Sequence, residues 1–409
     1  MESSKVFSEV ERLKTDMTKV SMELIRIPAI APENGGEGES KRAEKLIQIL
    51  NEVGFDKIER YDAIDERVPS KRRPNIIAQC MGEKTSDKLW IITHMDIVPP
   101  GEESLWTVTK PFEPVIKDAR VYGRGSEDDL QSMVASIFAV KALKNLKMKP
   151  KRTVCLCFVA DEEQGSTYGI QYLIKQRLFK AEDLVIVPDG GRGDGSFIEN
   201  AEKSILWLKI RTIGKQTHAS RPGDGLNASR VAMQYSLALD KILHKKYPRK
   251  DKSFDPPGST FEPTKRDKNV DAVNIVPGED INHLDSRILP QYDAEEALST
   301  IRNVAKEFEN KTGARIEIEI LQKTIAPKPT DPKARVVVML KDAIRKSMNV
   351  KAKIGGIGGG TCAAFFRQVG IPAVVWSTVD EVAHQPNEYS VIENLVNDAK
   401  VFASLAIQP

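Results

Sequence analysis

Residues Val154 to Val159 are all valine, leucine, phenylalanine or cysteine, and they run through Ala160 into Asp161, Glu162 and Glu163 before a turn at Gly165. An apolar run of this length predicts a central strand covered on both faces, so the chain must build layers above and below a sheet. Three adjacent carboxylates at the end of a dry strand repel one another and are costly to desolvate. A divalent metal is one source of the compensating charge. A solvated loop carrying three surface acids is the other, and this stretch alone does not separate them.

The chain of 409 residues is long enough for two or three domains and a large core. Its 61 basic and 58 acidic residues nearly cancel to a net charge of +3, which gives no reason to expect nucleic acid or a membrane as partner. Lys71-Arg72-Arg73 before Pro74 reads as a solvated basic loop. Met1 to Asp16 alternates charged and apolar residues without an apolar h-region, so no secretory signal is expected. No apolar run approaches a membrane span. Four scattered cysteines do not make a disulfide framework. Cys155 and Cys157 share a strand face as core residues, and a reducing cytoplasm fits this usage.

In chain order, Val6 to Ile27 has the spacing of one amphipathic helix, and Ser40 to Val53 of a second. Strands are expected at Lys57–Tyr61, Asn75–Cys80 and Lys88–Thr93, the last leading into His94-Met95-Asp96. Tyr122-Gly-Arg-Gly125 leads through Asp128-Asp129 into a buried helix out to Leu146, where two acids at a helix N-terminus also suit the macrodipole. The opening strand follows, then Leu184–Val187 and Asp189. Strands separated by helices imply right-handed crossovers, a mostly parallel sheet and an α/β fold. Sites in such sheets form outside the carboxyl ends of the strands, which places these acids and His94 in one crevice. From Ile205 to Leu321 the order becomes βαββαβ, a separate small α+β, ferredoxin-like domain with an antiparallel sheet. Pro327-Lys328-Pro329 returns the chain to the first domain. The expected division is 1–203 and 325–409 for the larger domain, with 204–324 inserted.

His94, Asp128, Glu163, Asp189 and His384 supply two imidazoles and three acids, a count that suits two zinc ions with open positions for water. Glu162, beside a ligand but pointing the other way along an extended backbone, is the candidate general base. Asp96 is placed to orient the His94 imidazole. Singly, His94 and His384 are ordinary structural histidines; with the strand-end acids they become candidates. The loop Gly355–Gly360 lacks the lysine of a phosphate-binding loop. Close approach to a substrate carboxylate, with Thr361 donating, or a flexible turn are its two uses. Neither Ser126 nor Cys362 lies in a nucleophile signature.

These motifs, in this order, resemble the dinuclear zinc exopeptidases and deacylases, a family that includes aminoacylase, acetylornithine deacetylase, succinyl-diaminopimelate desuccinylase, glutamate carboxypeptidase and carnosinase-type dipeptidases. The resemblance runs through Thr93–Pro99, Tyr122–Asp129, Asp161–Gly165, Asp189–Gly191, His218–Pro222, Asn274–Gly278, Asp285–Arg287, Gly358–Thr361 and His384–Glu388. It implies that His94 and Asp189 ligate one zinc, Glu163 and His384 the other, and that Asp128 bridges them. Manganese or cobalt can replace zinc. It also implies that Glu162 is base and acid, that Asp96 supports His94, and that His218 comes from a partner subunit to stabilise the oxyanion. Asn274, Arg287, Gly360 and Thr361 would hold the substrate carboxylate. The inserted domain would be both lid and homodimerisation surface.

Cys362-Ala363-Ala364 stands where many members carry an acid, which weakens an assignment to the deacetylase or desuccinylase branch. Asp189 stands where acylase and carboxypeptidase members more often have Glu. Both departures favour hydrolysis of an amide bond next to a free carboxylate in a dipeptidase or exopeptidase. N-acyl-amino-acid deacylation is the rival reading, and a binding protein that has lost catalysis is a third.

Overall fold

The computed structural model describes residues 2–409, the side chain of Thr85 apart. The chain divides into two units: residues up to Asn200 with Pro329–Ile354 and Thr361–Pro409, and Ala201–Lys328 with Gly355–Gly360.

The first unit is built on an eight-stranded sheet. Its order is Lys57–Ile64, Arg72–Cys80, Arg152–Val159, Lys84–His94, Leu184–Gly191, Ala373–Ser377, Phe197–Glu202, Lys353–Ile357. The sequence predicts a mostly parallel sheet; the sheet is mixed instead. Parallel pairing is confined to the four strands from Arg152–Val159 to Ala373–Ser377. Antiparallel pairs flank them on both sides. The cause is the connections: Lys57–Ile64 and Arg72–Cys80 are joined by a short link with no helix, and only antiparallel neighbours can be joined that way.

Every residue of Arg152–Val159 is buried. Alternation divides its side chains between two cores. Val154, Leu156 and Phe158 pack in the core that also holds Met133 and Val396, whereas Cys155, Cys157 and Val159 pack in the core with Ile170 and Phe366. Both cysteines are free thiols, as their shared face requires. The N-terminal amphipathic stretch is two helices, Glu2–Arg12 and Lys14–Ile25, not one. At the junction the Leu13 amide donates to both Glu9 and Val10 carbonyls, a tightened turn that still leaves Leu13 buried. The apolar spacing therefore continues across a break it does not reveal. Among the described residues, no helix is long and apolar enough to cross a membrane.

The second unit holds a four-stranded antiparallel sheet in the order Thr260–Arg266, Glu279–Ile288, Ser204–Ile213, Arg315–Thr324. Helices Ala228–Lys246 and Ala294–Thr312 supply Tyr235, Leu239, Ile301 and Val304 to its core. The edge strand Thr260–Arg266 lies inside what the sequence presents as a polar excursion from Lys245 to Asp271. Only Phe261 of that strand is buried, so no alternation marks it. One strand of the expected βαββαβ order is only the two-residue Ile275–Val276, which pairs with Thr217–His218 outside the four-stranded sheet.

Arg73, read from sequence as part of a solvated loop, is fully buried in the strand Arg72–Cys80. Its Nε and Nη2 donate to the two oxygens of buried Glu39 at 2.7 and 2.5 Å. Its Nη1 donates to Asp65 at 3.3 Å, and Asp161 lies 3.5 Å away. Asp161 in turn accepts the Tyr168 amide at 3.0 Å, which shapes the turn after the central strand. Removing the arginine would strand a buried carboxylate without its cation. Arg73→Leu is expected to lower stability by about 3–5 kcal/mol in urea unfolding, whereas exposed Arg72→Leu should change it by less than about 0.5 kcal/mol.

Candidate metal centre

Three neighbouring parallel strands deliver the first residues of the site. His94 ends Lys84–His94 and is in register with Val159, so the acids after Val159 emerge beside it. Leu184–Gly191 flanks the same strand on its other side and carries Asp189 near its end. Asp128 arrives from the irregular segment Ser126–Gln131, where Asp128 and Asp129 leave helical geometry before the helix Ser132–Asn145 begins. The two acids therefore precede the helix rather than cap it. His384 lies in the loop after Ala373–Ser377, at a left-handed φ of 64°.

These side chains converge. His94 Nε2 is 2.8 Å from Asp128 Oδ1 and 3.8 Å from Asp189 Oδ1. His384 Nε2 is 3.0 Å from Asp128 Oδ2 and 3.2 Å from Glu163 Oε1. Asp128 thus presents one oxygen to each imidazole. Ligand atoms of His94, Asp128 and Glu163 lie within 4.8 Å of one another, as do those of His94, Glu162 and Asp189. Glu162 and Glu163 face different partners, but not through an extended backbone: they lie in the 3-10 turn Glu162–Gln164, whose rotation separates them.

The Asp96 carboxylate does something the sequence does not indicate. It accepts the amides of Glu162 and Glu163, each at 3.0 Å. The atom of Asp96 nearest His94 Nδ1 is its backbone carbonyl oxygen at 3.0 Å, with the carboxylate at 3.6 Å. Asp96 fixes the acid pair directly and the imidazole through its main chain.

The electrostatics are those of a site with too many carboxylates. Burial, and then the charge of Asp189, pushes Glu162 well above the usual carboxylate range. Burial and Asp128 push Glu163 up to about 7. Burial likewise raises Asp189. Burial opposes ionisation of Asp128 too, but hydrogen bonds from His384 and His94 outweigh it and hold Asp128 low. His384 is raised to about 10 by hydrogen bonds to Asp128 and Glu163. The groups that shift Glu162, Glu163 and Asp189 are one another, further acids and the two imidazoles. A nitrogen and oxygen donor set with this surplus of negative charge fits divalent cations.

A ring of further acids holds the ligand loops through main-chain amides. Glu388 accepts the amides of Gly125, Glu127 and Asp128 at 2.9, 3.0 and 3.1 Å, and Arg124 Nη1 donates to it at 2.6 Å. Glu127 accepts the amides of Asp380, Val382 and Ala383 at 2.6, 2.7 and 3.1 Å. Each carboxylate thus anchors the loop that carries the other's neighbour. In sequence both are plain acids, Glu127 two residues after Gly125 and Glu388 two residues after Pro386. Their partners are backbone groups, which leave no pattern to find.

The remaining candidates are divided between the two units. His218, Asn274, Arg287 and Gly360 belong to the second unit. His218 is exposed, its Nδ1 within 2.8 Å of Ser220 Oγ. Arg287 is held by Asp285 at 2.7 and 3.0 Å and by the Gly358 carbonyl at 2.9 Å. Asn274 is exposed, and its carbonyl accepts the Ala219 amide at 2.8 Å. Thr361 is in the first unit, where its hydroxyl accepts the Ala363 amide at 3.2 Å at the start of a short helix. Cys362 is buried, 3.6 Å from Ser166 Oγ.

The chain is similar to known metal-dependent hydrolases over nearly its full length. An uncharacterized metallohydrolase of Methanocaldococcus jannaschii is 42% identical across 94% of this chain and 97% of that protein. A succinyl-diaminopimelate desuccinylase of Pelagibacter ubique is 25% identical across 94% and 97%. Among solved structures, human carnosine dipeptidase 1 superposes with a TM-score of 0.77 at 15% identity, covering 100% of this chain and 98% of that one. The family model of peptidase family M20/M25/M40 matches residues 90–408, spanning His94, Asp128, Glu162, Glu163, Asp189 and His384, and the chain belongs to that family of metallohydrolases.

Proposed function

We propose that the protein is a dinuclear zinc hydrolase that cleaves an amide bond next to a free carboxylate, as an exopeptidase of the dipeptidase type. The observation that carries this reading is the convergence of His94, Asp128, Glu162, Glu163, Asp189 and His384 into one cluster. In this reading His94 and Asp189 would hold one zinc and Glu163 and His384 the other, with Asp128 shared between them. The one-oxygen-per-imidazole disposition of Asp128 supports the bridge. Manganese or cobalt suits the same donors. Bound zinc supplies Lewis acidity, lowering the pKa of water toward about 7 and polarising a carbonyl.

The chain's own residues do the rest. Glu162 takes one proton from water as its oxygen bonds to the scissile carbonyl carbon, then passes that proton to the amine nitrogen as the C–N bond breaks. The products are a carboxylate and a free amine. Asp96, which accepts the Glu162 and Glu163 amides, keeps base and ligand apart by a fixed turn. His218 of the partner subunit adds a hydrogen bond to the developing oxyanion. Asn274, Arg287, Gly360 and Thr361 hold the substrate carboxylate. The inserted unit acts as lid and as the surface through which two copies pair.

Within this chemistry the dipeptidase reading is supported by Asp189, by Cys362 in place of an acid, and by the fold shared with human carnosine dipeptidase 1. Deacylation of an N-acyl amino acid is the second reading, supported by desuccinylases that resemble the chain along most of its length.

Glu162→Gln should keep two metal ions per chain by elemental analysis while kcat falls by roughly 100-fold to 10,000-fold; turnover close to wild type would remove Glu162 as base. Dimers mixing His218→Ala with Glu162→Gln subunits should regain activity that neither variant has alone, and no regain would exclude a role in trans. A panel of dipeptides against N-acetyl and N-succinyl amino acids, with zinc, manganese or cobalt added, should show turnover of dipeptides; hydrolysis of the acyl compounds alone would move the protein to the deacylase reading.

A further inference from the structure

A second charged cluster lies at the opposite end of the strands that carry His94 and the acids. Arg152 opens the strand Arg152–Val159 and is fully buried. Its Nε lies 3.2 Å from Asp87 Oδ2, and its Nη1 donates to the Gln408 carbonyl at 3.1 Å. Arg335, the first residue of the helix Arg335–Met348, donates to the same Asp87 oxygen at 2.7 Å. The Ser86 hydroxyl donates to the other Asp87 oxygen at 2.9 Å. Two guanidinium groups therefore share one carboxylate, so Arg152, Arg335 and Asp87 together carry a net positive charge.

Two donors are also left over. Arg152 Nη2 and Gln408 Nε2 are buried and have no hydrogen-bond partner among the described residues. Arg152 is 0% exposed and Gln408 7%. A guanidinium and an amide NH2 only donate, so they cannot satisfy each other. Both need an acceptor. The helix Arg335–Met348 has no side-chain cap, so its first amides and the positive end of its dipole add to the same demand. A water molecule would satisfy the donors but not the charge. An anion does both.

We propose that Arg152, Arg335 and Gln408 form a binding site for a small oxyanion of the phosphate type, separate from the metal centre. The Arg335 side chain is 47% exposed, whereas Arg152 and Gln408 are buried. The bound anion ties the beginnings of Lys84–His94 and Arg152–Val159 to the helix Arg335–Met348 and to the segment after the helix Ile392–Ile407. These are the two strands whose far ends carry His94 and the Asp161-Glu162-Glu163 turn.

The test is thermal unfolding of the metal-loaded protein at fixed pH and ionic strength, with inorganic phosphate replacing chloride. The expected result is a saturable rise of about 2 °C or more in the midpoint, reproduced by sulfate. Arg335→Met, at a half-exposed position, and Gln408→Leu, of similar volume, should keep the wild-type circular dichroism and lose the rise. Phosphate bound at the metals would give a rise that survives both substitutions. That result, or no rise in the wild-type protein, overturns the proposal.

Discussion

Negative charge confined in a dry place is the constraint on which this structure depends. Asp128, Glu162, Glu163 and Asp189 approach one another at the end of a sheet whose central strands are buried on both faces. Each carboxylate repels the others, and burial amplifies the repulsion by removing water. The protein answers with two imidazoles and a donor geometry open to cations, while nearby buried arginines are spent on other acids, Arg73 on Glu39, Asp65 and Asp161 and Arg124 on Glu388. The front of the site keeps a surplus of negative charge that suits a divalent cation.

Holding such a cluster in place is as demanding as neutralising it. Loops supply Asp128, Glu162, Glu163 and His384, and loops are ordinarily the mobile parts of a domain. Here they are fixed by acids one step back: Asp96 under the Glu162–Glu163 turn, Glu388 under the Gly125–Asp128 turn, and Glu127 under Asp380–Ala383. A carboxylate accepting main-chain amides forms charge-assisted hydrogen bonds, each worth about 1.5–3 kcal/mol. These side chains are thus presented on rigid turns although they do not belong to strands or α-helices.

The sequence displays what the backbone period can write. An unbroken apolar run announced the central strand, and Cys155 and Cys157 fell on one face because strand side chains alternate. Acids and His94 at strand ends were legible for the same reason, since parallel strands deliver their carboxyl ends to one edge. What stayed hidden had no period to betray it. The edge strand Thr260–Arg266 buries one side chain, the break at Leu13 preserves the helical spacing, and Arg73 looks like its exposed neighbours until its three carboxylate partners are brought from elsewhere in the chain. The acids that grip main-chain amides were equally silent, because every residue but proline offers an amide. The antiparallel flanks of the sheet depended on link lengths that the helix and strand pattern alone did not weigh.

The reciprocal arrangement of Glu127 and Glu388 has a consequence for how this site can change. Glu127 precedes Asp128 and holds the loop before His384; Glu388 follows His384 and holds the turn before Asp128. The two metal-facing residues are therefore mounted on one closed loop of interactions rather than on two independent arms. A change at either carboxylate loosens both mounts together, so double substitutions across the pair will be strongly non-additive. Drift toward a new metal or a new substrate is consequently easier on the Asp189 side, where the ligand sits on a strand, than on this side, where two positions must change in step.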